Sequence, residues 1–162
     1  MKNKIILLFL LIIFVRCWYY STSDSIPPDI KTIYLYPIEN RTAIGELSET
    51  LYENIINAFI DNGRLKIVNN PDDADLILNI TILNYENKPY TYGRNEDVSQ
   101  YDLKITVSAK CINKKENKTF WSSSGLSNHL TYNYLTENEE EIKTKVTKNL
   151  SEDIVNKILT VW

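Results

Sequence analysis

The chain has 162 residues, 43% of them hydrophobic and 24% charged, which is enough for one folded domain with a hydrophobic core. Its formal net charge is −3, and loss of the three basic residues within residues 1–16 would take it to about −6. Such an acidic protein is a poor candidate for general nucleic-acid binding, which depends on neutralising phosphates.

Residues 1–16 resemble an export signal. Lys2 and Lys4 precede eleven unbroken apolar residues, 5–15. Eleven residues make about 16 Å of helix, roughly half of a bilayer core, so the segment suits a signal peptide and is too short for a transmembrane helix. We therefore expect residues 1–16 to be a signal peptide of the lipoprotein type.

Cys17 directly follows this apolar segment, where bacterial lipoproteins are cleaved and lipidated. We expect a covalent diacylglycerol on its thiol and an acyl chain on its new amino group, because several chains anchor a protein stably where one is marginal. Arg16 departs from the small residue usual before that cysteine. The alternative is an uncleaved signal anchor with Cys17 unmodified.

Residues 17–29 carry the pattern of a tether, since Ser, Thr, Asp and the pair Pro27-Pro28 favour extended backbone. The aromatic residues Trp18, Tyr19 and Tyr20 fit either the membrane interface or the surface of the domain. We expect residues 30–162 to form a single domain.

The first half of that domain predicts a strand, a helix and a second strand. Residues 30–36 alternate and are rich in β-branched and aromatic side chains, so they predict a strand, and residues 39–42 predict a loop. Residues 46–62 predict a helix, because Leu47, Leu51, Ile55 and Phe59 recur every four residues and Gly63 supplies a left-handed stop. Residues 65–68 predict a short strand and residues 69–72 a turn.

The second half predicts three longer strands and a closing helix. Residues 75–85 and 101–111 alternate strongly, and residues 119–131 return after a turn at 113–117. Residues 88–97 predict a loop or loose hairpin. Thr136 and Glu139 match a capping box, and the helix that follows carries an apolar stripe from Ile142 to Ile158. On this helix we expect Glu139 to pair with Lys143.

The predicted order is therefore β-α-β-β-β-β-α. Each helix has one apolar stripe and the sheet has one apolar face, so we expect an α+β two-layer sandwich. In it, two helices cover one face of a mostly antiparallel or mixed sheet of four to five strands. Tyr85 is expected on the outer face of the sheet, and Cys111, without a partner in the chain, on the inner face as a small hydrophobe.

Nothing in the sequence predicts an enzyme or a metal site. His129 is the single histidine, and nothing near it indicates a nucleophile. The acidic residues Asp72, Asp73 and Asp75 lack the glycine and distal glutamate of a calcium loop, so a turn is expected there. Beyond the lipid on Cys17 no cofactor is expected.

Several segments resemble the LptE family of lipopolysaccharide-assembly lipoproteins. Members show a start similar to Cys-Gly-Tyr-Ser-Phe, a strand of the form Ile-Pro-x-Asp-Ile-Lys-Thr-Ile, and an Asn-Arg loop. The chain has similar residues at 17–21, 25–33 and 39–42, and further similarity at 64–68, 74–80 and 150–158, ending in Trp162. Arg16 and Trp18 depart from the pattern, which bears on processing more than on fold.

The resemblance implies a role rather than a reaction. A protein of this family lies on the periplasmic face of the outer membrane, inside an LptD-type β-barrel that it helps to assemble and plugs, and it binds lipopolysaccharide. Lys88 and Arg94 are then candidates for contact with lipid A phosphates, with solvated loop charges as the alternative. The competing function is that of a periplasmic lipoprotein serving another secretion or polymer-export channel.

Overall fold

A computed structural model describes residues 26–92 and 98–160. Cys17, Arg94, Trp162, the predicted signal peptide and most of the predicted tether lie outside the described residues. Within them the chain forms six strands and two helices: β1 (Thr32–Leu35), β2 (Glu39–Asn40), α1 (Leu47–Asn62), β3 (Lys66–Ile67), β4 (Leu76–Tyr92), β5 (Val98–Asn113), β6 (Lys118–Tyr132) and α2 (Glu139–Leu159). No helix within these two ranges is long and apolar enough to cross a membrane.

The sheet is mixed, as predicted. Its strand order is β3-β1-β4-β5-β6, with β2 also paired to β4. The short strands pair in parallel, β1 with β3 and β4, and β2 with β4. Strands β4, β5 and β6 form a long antiparallel meander. Strand β2 lies where a loop was predicted, because two residues are too few to show an alternating pattern.

The core lies between the sheet and the two helices, which confirms the two-layer α+β fold. Alternate residues of β4 and β5 are buried, as are the predicted apolar stripes of both helices. Each fully buried aliphatic side chain contributes about 1.5–3 kcal/mol relative to exposure. The central members of this core are Leu51, Ile55, Leu78, Ile82, Leu103, Ile105, Leu150 and Ile154.

A bulge in β4 corrects one prediction. Ile82 pairs with Val107, but the next pair is Asn84 with Thr106, so Leu83 is an extra residue in the strand. Tyr85, two residues after Leu83, therefore pairs with the inward-facing Ile105 and lies on the inner face. The prediction that Tyr85 faces outward was wrong, because a simple alternation cannot include an inserted residue.

The predicted C-terminal end of α1 agrees with the structure, and the predicted N-terminal cap of α2 does not. Gly63 closes α1 at φ 70°, and its N–H donates to the carbonyl of Phe59 at 3.0 Å. At α2 the cap is Asn138, whose Oδ1 accepts from the backbone N–H of Glu140 at 3.0 Å. The predicted capping box of Thr136 and Glu139 was therefore wrong, because a better placed amide precedes the helix.

Candidate functional site

The outer face of the sheet is polar along β5 from Asp102 to Lys110. On β5 the inward residues are buried, while Asp102, Lys104, Thr106, Ser108 and Lys110 alternate with them on the other side and are partly or fully exposed. The sequence predicted this division. A face of this kind can lie against water or a hydrated wall without loss of apolar contacts.

Lys88 lies in strand β4 and not in the predicted loop. It pairs with Asp102 on β5, and its ammonium lies 3.0 Å from the carboxylate of Glu86, with 66% of its side chain exposed. The strand tolerates Pro89 because beyond Ile82 the described part of β4 pairs with β5 alone, and such an edge strand accepts a residue that cannot donate a hydrogen bond. Its predicted partner Arg94 lies outside the described residues.

Charges on this face are paired with one another across the strands. Glu86 lies opposite Lys104, which lies opposite His129 on β6. His129 Nδ1 is 2.8 Å from a carboxylate oxygen of Asp102. The hydrogen bond from Lys88, with a second from Asn84, holds the pKa of Glu86 below its ordinary value. Cross-strand pairs of this kind stabilise a sheet modestly and leave its outer face nearly neutral.

The two ends of the sheet differ in what they carry. The hairpin end joins β4 to β5 near Lys88, and the turn end joins β5 to β6 at residues 113–118. Strand β1 pairs with the start of β4, so the chain enters the domain at the turn end. The eleven steps along β5 from Asp102 to Asn113, at about 3.3 Å each, span about 36 Å. Lys88 is therefore far from the end that leads to Cys17.

The acidic turn before β4 is held by the chain itself. The Lys114 ammonium donates to the carbonyls of Pro71 and Asp72 at 2.9 Å each. The carboxylate of Asp75 accepts from the backbone N–H groups of Lys31 and Thr32 at 2.8 and 2.9 Å. Within the part of the chain that the structure describes, no cluster of side chains is arranged to hold a metal ion.

A cleft that the sequence did not predict lies at the base of the hairpin end. It has a volume of about 520 Å³, and we call it the tyrosine cleft. Three aromatic rings, two carboxylates and two amides line it: Tyr101, Tyr132, Tyr134, Glu137, Glu139, Asn87 and Asn138. Its residues come from β4, β5, β6, the connection from β6 to α2 and the start of α2, so no local motif could have indicated it.

Cys111 is fully buried on the inner face of β5, as predicted. Burial raises the pKa of its thiol to about 12, since the apolar surroundings disfavour the thiolate. A thiol in that state is a packing residue rather than a nucleophile.

One protein family matches most of this chain. The model of the LptE family, described as lipopolysaccharide assembly, matches residues 30–160. The chain belongs to the LptE family. No curated protein sequence matches it significantly.

Solved structures share the fold of this LptE family member at low sequence identity. The hypothetical protein CT253 from Chlamydia trachomatis superposes with a TM-score of 0.61 at 12% identity, covering 80% of this chain and 95% of that one. Lipoprotein B from Nitrosomonas europaea gives 0.60 at 14%, covering 87% and 88%. A PelC dodecamer variant from Paraburkholderia phytofirmans gives 0.54 at 13%, covering 80% and 88%. At these identities the likeness shows a common fold alone.

Proposed function

We propose that this LptE family member is a non-enzymatic, lipid-anchored protein on the periplasmic face of the outer membrane. It would partner an LptD-type β-barrel, aid its assembly, plug its lumen and assist transport of lipopolysaccharide to the cell surface. The observation that carries the proposal is the family match over residues 30–160. A secretion or polymer-export channel is the alternative partner.

The polar sheet face supports the plugging role. A domain that fills a water-lined lumen needs a surface that tolerates hydration on the side facing the wall. The outer residues of β5 provide it: Lys104 lies opposite Glu86, and Asp102 lies opposite Lys88 and within hydrogen-bond distance of His129. An apolar face would instead collapse against other apolar surfaces.

The positions of the two ends support an orientation in the barrel. Cys17 precedes Ile26 by nine residues, which reach at most about 30 Å when extended. If Cys17 holds its lipid in the inner leaflet, the turn end stays near the periplasmic rim. The hairpin end, about 36 Å away along the sheet, then leads into the lumen.

The anchor itself has a direct test. Cells grown with a palmitate analogue should label the wild-type protein and not the Cys17→Ser variant. Retained label in Cys17→Ser, or no label on the wild type, would refute the lipid on Cys17.

Contact with lipid A phosphates remains a proposal for Lys88 and Arg94. Lys88 is supported by its exposed ammonium, although Glu86 competes for it at 3.0 Å. The double variant Lys88→Ala/Arg94→Ala should weaken binding of purified lipopolysaccharide several-fold. Lys110→Ala is the control, because it removes one exposed ammonium from the same sheet face eight residues along β5 from Asp102. Equal binding by the double variant and the wild type would contradict the proposal.

The role in export is tested by depletion of the protein. We expect lipopolysaccharide at the cell surface to fall together with the amount of correctly assembled barrel. Full restoration of both by the wild-type chain would support an assembly partner. A normal amount of barrel and normal surface lipopolysaccharide during depletion would refute it.

A further inference from the structure

Two of the three tyrosine rings in the tyrosine cleft lie next to the third, Tyr101. Tyr101 lies 6.0 Å from Tyr132 and 5.8 Å from Tyr134, measured between ring centroids. The planes meet at 31° and 83° respectively, so the three rings form a bent wall and not a flat stack. Aromatic faces carry negative electrostatic potential and attract cations.

The two carboxylates of the cleft are acceptors. Glu139 accepts from the Tyr85 hydroxyl at 2.6 Å, and Glu137 accepts from the backbone N–H of Asn133 at 3.0 Å. Neither carboxylate forms an ion pair with a described residue. The next lysine along α2, Lys143, is already bound by two other glutamates.

One buried acceptor in the cleft is without a partner. Asn87 donates its amide N–H to the Tyr132 hydroxyl at 2.8 Å, while its Oδ1 is buried and makes no hydrogen bond within the described residues. This oxygen has almost no exposed surface, so a ligand would meet the rings and carboxylates of the cleft and not this atom.

The electrostatic surroundings agree with this pattern. Burial raises the pKa of Tyr85, and the hydrogen bond to Glu139 and its negative charge raise it further. Burial also raises the pKa of Tyr132, with a smaller contribution from Glu139, although the hydrogen bond from Asn87 acts in the opposite direction. The negative charge of Glu139 therefore disfavours a further anion beside these hydroxyls, whereas burial disfavours charge of either sign.

A guanidinium fits these groups better than an ammonium. It is planar, stacks on aromatic faces and presents five N–H donors, so it can contact a tyrosine ring and a carboxylate together. A carboxylate or phosphate ligand would meet Glu137 and Glu139 at close range.

The rim of the cleft indicates a protein as the source of that cation. Leu135, next to Tyr134 in the chain, is 73% exposed, and Tyr134 is 45% exposed. Tyr90, near the same end of β4, is 61% exposed. Exposed aromatic and aliphatic side chains around a pocket are typical of interfaces where an arginine or aromatic anchor inserts.

We propose that the tyrosine cleft binds an arginine side chain carried by a protein partner. The arginine stacks on the tyrosine wall, its guanidinium donates to Glu137 or Glu139, and the neighbouring partner residues cover Leu135. This surface is distinct from Lys88, and its test does not require the partner of the proposed function to be present.

The first experiment titrates the purified full-length protein in detergent micelles with acetyl-arginine methylamide, followed by NMR. The Asn87 side-chain amide and the Tyr134 ring should shift saturably. The citrulline analogue, which keeps the shape and lacks the charge, should bind at least tenfold more weakly. Equal affinities for the two probes, no saturable shift, or an equal response to ethanolamine phosphate would overturn the assignment.

Variants and a longer probe test the cleft and the protein source. Glu137→Gln/Glu139→Gln should weaken the arginine probe about tenfold, whereas Glu116→Gln, in the turn at the opposite end of the sheet, should not. A short peptide with leucine on each side of one arginine should bind more tightly than the single residue, and Leu135→Ser should remove that gain. If peptide and single residue bind equally, the cleft is not a protein-docking site.

Discussion

Asp75 joins the start of β4 to the start of β1, and its removal is the most informative test of the fold. Its Oδ2 accepts three hydrogen bonds: from the N–H of Lys31 at 2.8 Å, and from the N–H and the hydroxyl of Thr32 at 2.9 Å each. Asp75→Asn can keep an oxygen in that position but loses the charge. Hydrogen bonds to a charged acceptor contribute about 1 kcal/mol more than neutral ones. Because the Asn oxygen retains part of the three hydrogen bonds, we expect Asp75→Asn to lower the free energy of unfolding by about 2 kcal/mol.

The same contact predicts a dependence on pH. Burial acts to raise the pKa of Asp75, but the hydrogen bonds from Lys31 and Thr32 together outweigh it and lower the pKa. A carboxyl group whose folded pKa is depressed stabilises the protein above its unfolded pKa, about 3.9 for Asp, and loses that contribution as pH falls through the folded value. Wild type should therefore lose stability below about pH 4 by a term that Asp75→Asn lacks.

The assay is urea unfolding at pH 7 and at pH 3, with Asp73→Asn as the matched control. Asp73 is exposed and its side chain makes no hydrogen bond among the described residues. At pH 7 Asp75→Asn should unfold at lower urea concentration than wild type and the control, and the difference should shrink at pH 3. An unchanged midpoint at pH 7, or the same difference at both pH values, would refute the reasoning.

Three further predictions concern the core, a helix end and the contact between helices. In a Cys17→Ser background, Cys111 should resist iodoacetamide at pH 8 until urea unfolds the protein, because its thiol is buried and its pKa is about 12; rapid labelling of the folded protein would contradict this. Gly63→Ala should cost about 1 kcal/mol in urea unfolding because Gly63 has φ 70°, whereas Gly45→Ala, at a position without positive φ, should cost less. Lys143→Met should lower stability by about 1 kcal/mol, because the contacts of its ammonium with Glu140 and Glu46 outweigh burial and raise the pKa of Lys143; unchanged thermal unfolding would show that burial cancels the ion pairs.

The long elements could be predicted because their patterns repeat over many residues. The stripe from Leu47 to Phe59 predicted α1 and its buried face, and Gly63 predicted its end within one residue. The alternation from Leu103 to Cys111 predicted which face of β5 is buried. In both cases local propensity and burial favour the same structure, so tertiary packing did not alter the result.

The predictions that were wrong concern positions where contacts between residues distant in sequence determine the structure. The bulge at Leu83 depends on the registry with β5, and it is what brings Tyr85 inward to Glu139. Lys143 was expected to pair with Glu139, but it contacts Glu140 and, across the helix pair, Glu46. No periodicity within one segment contains that information.

The candidate site divides in the same way. The polar face of β5 was predictable from its alternation, and the burial of Cys111 followed from the same pattern. The tyrosine cleft was not, because Asn87 and Tyr132 are 45 residues apart and meet only through the register of the meander. The predicted roles of Cys17, Lys88 and Arg94 stay predictions that the experiments above address.

The measurement that tests the central proposal most directly is a pull-down of the tagged full-length protein from detergent-solubilised outer membrane. We expect an LptD-type β-barrel to co-purify in stoichiometric amount and to be lost when the Cys17→Ser variant is used as bait in the same cells. Recovery of a ring-forming channel protein in place of that barrel would contradict the proposed function.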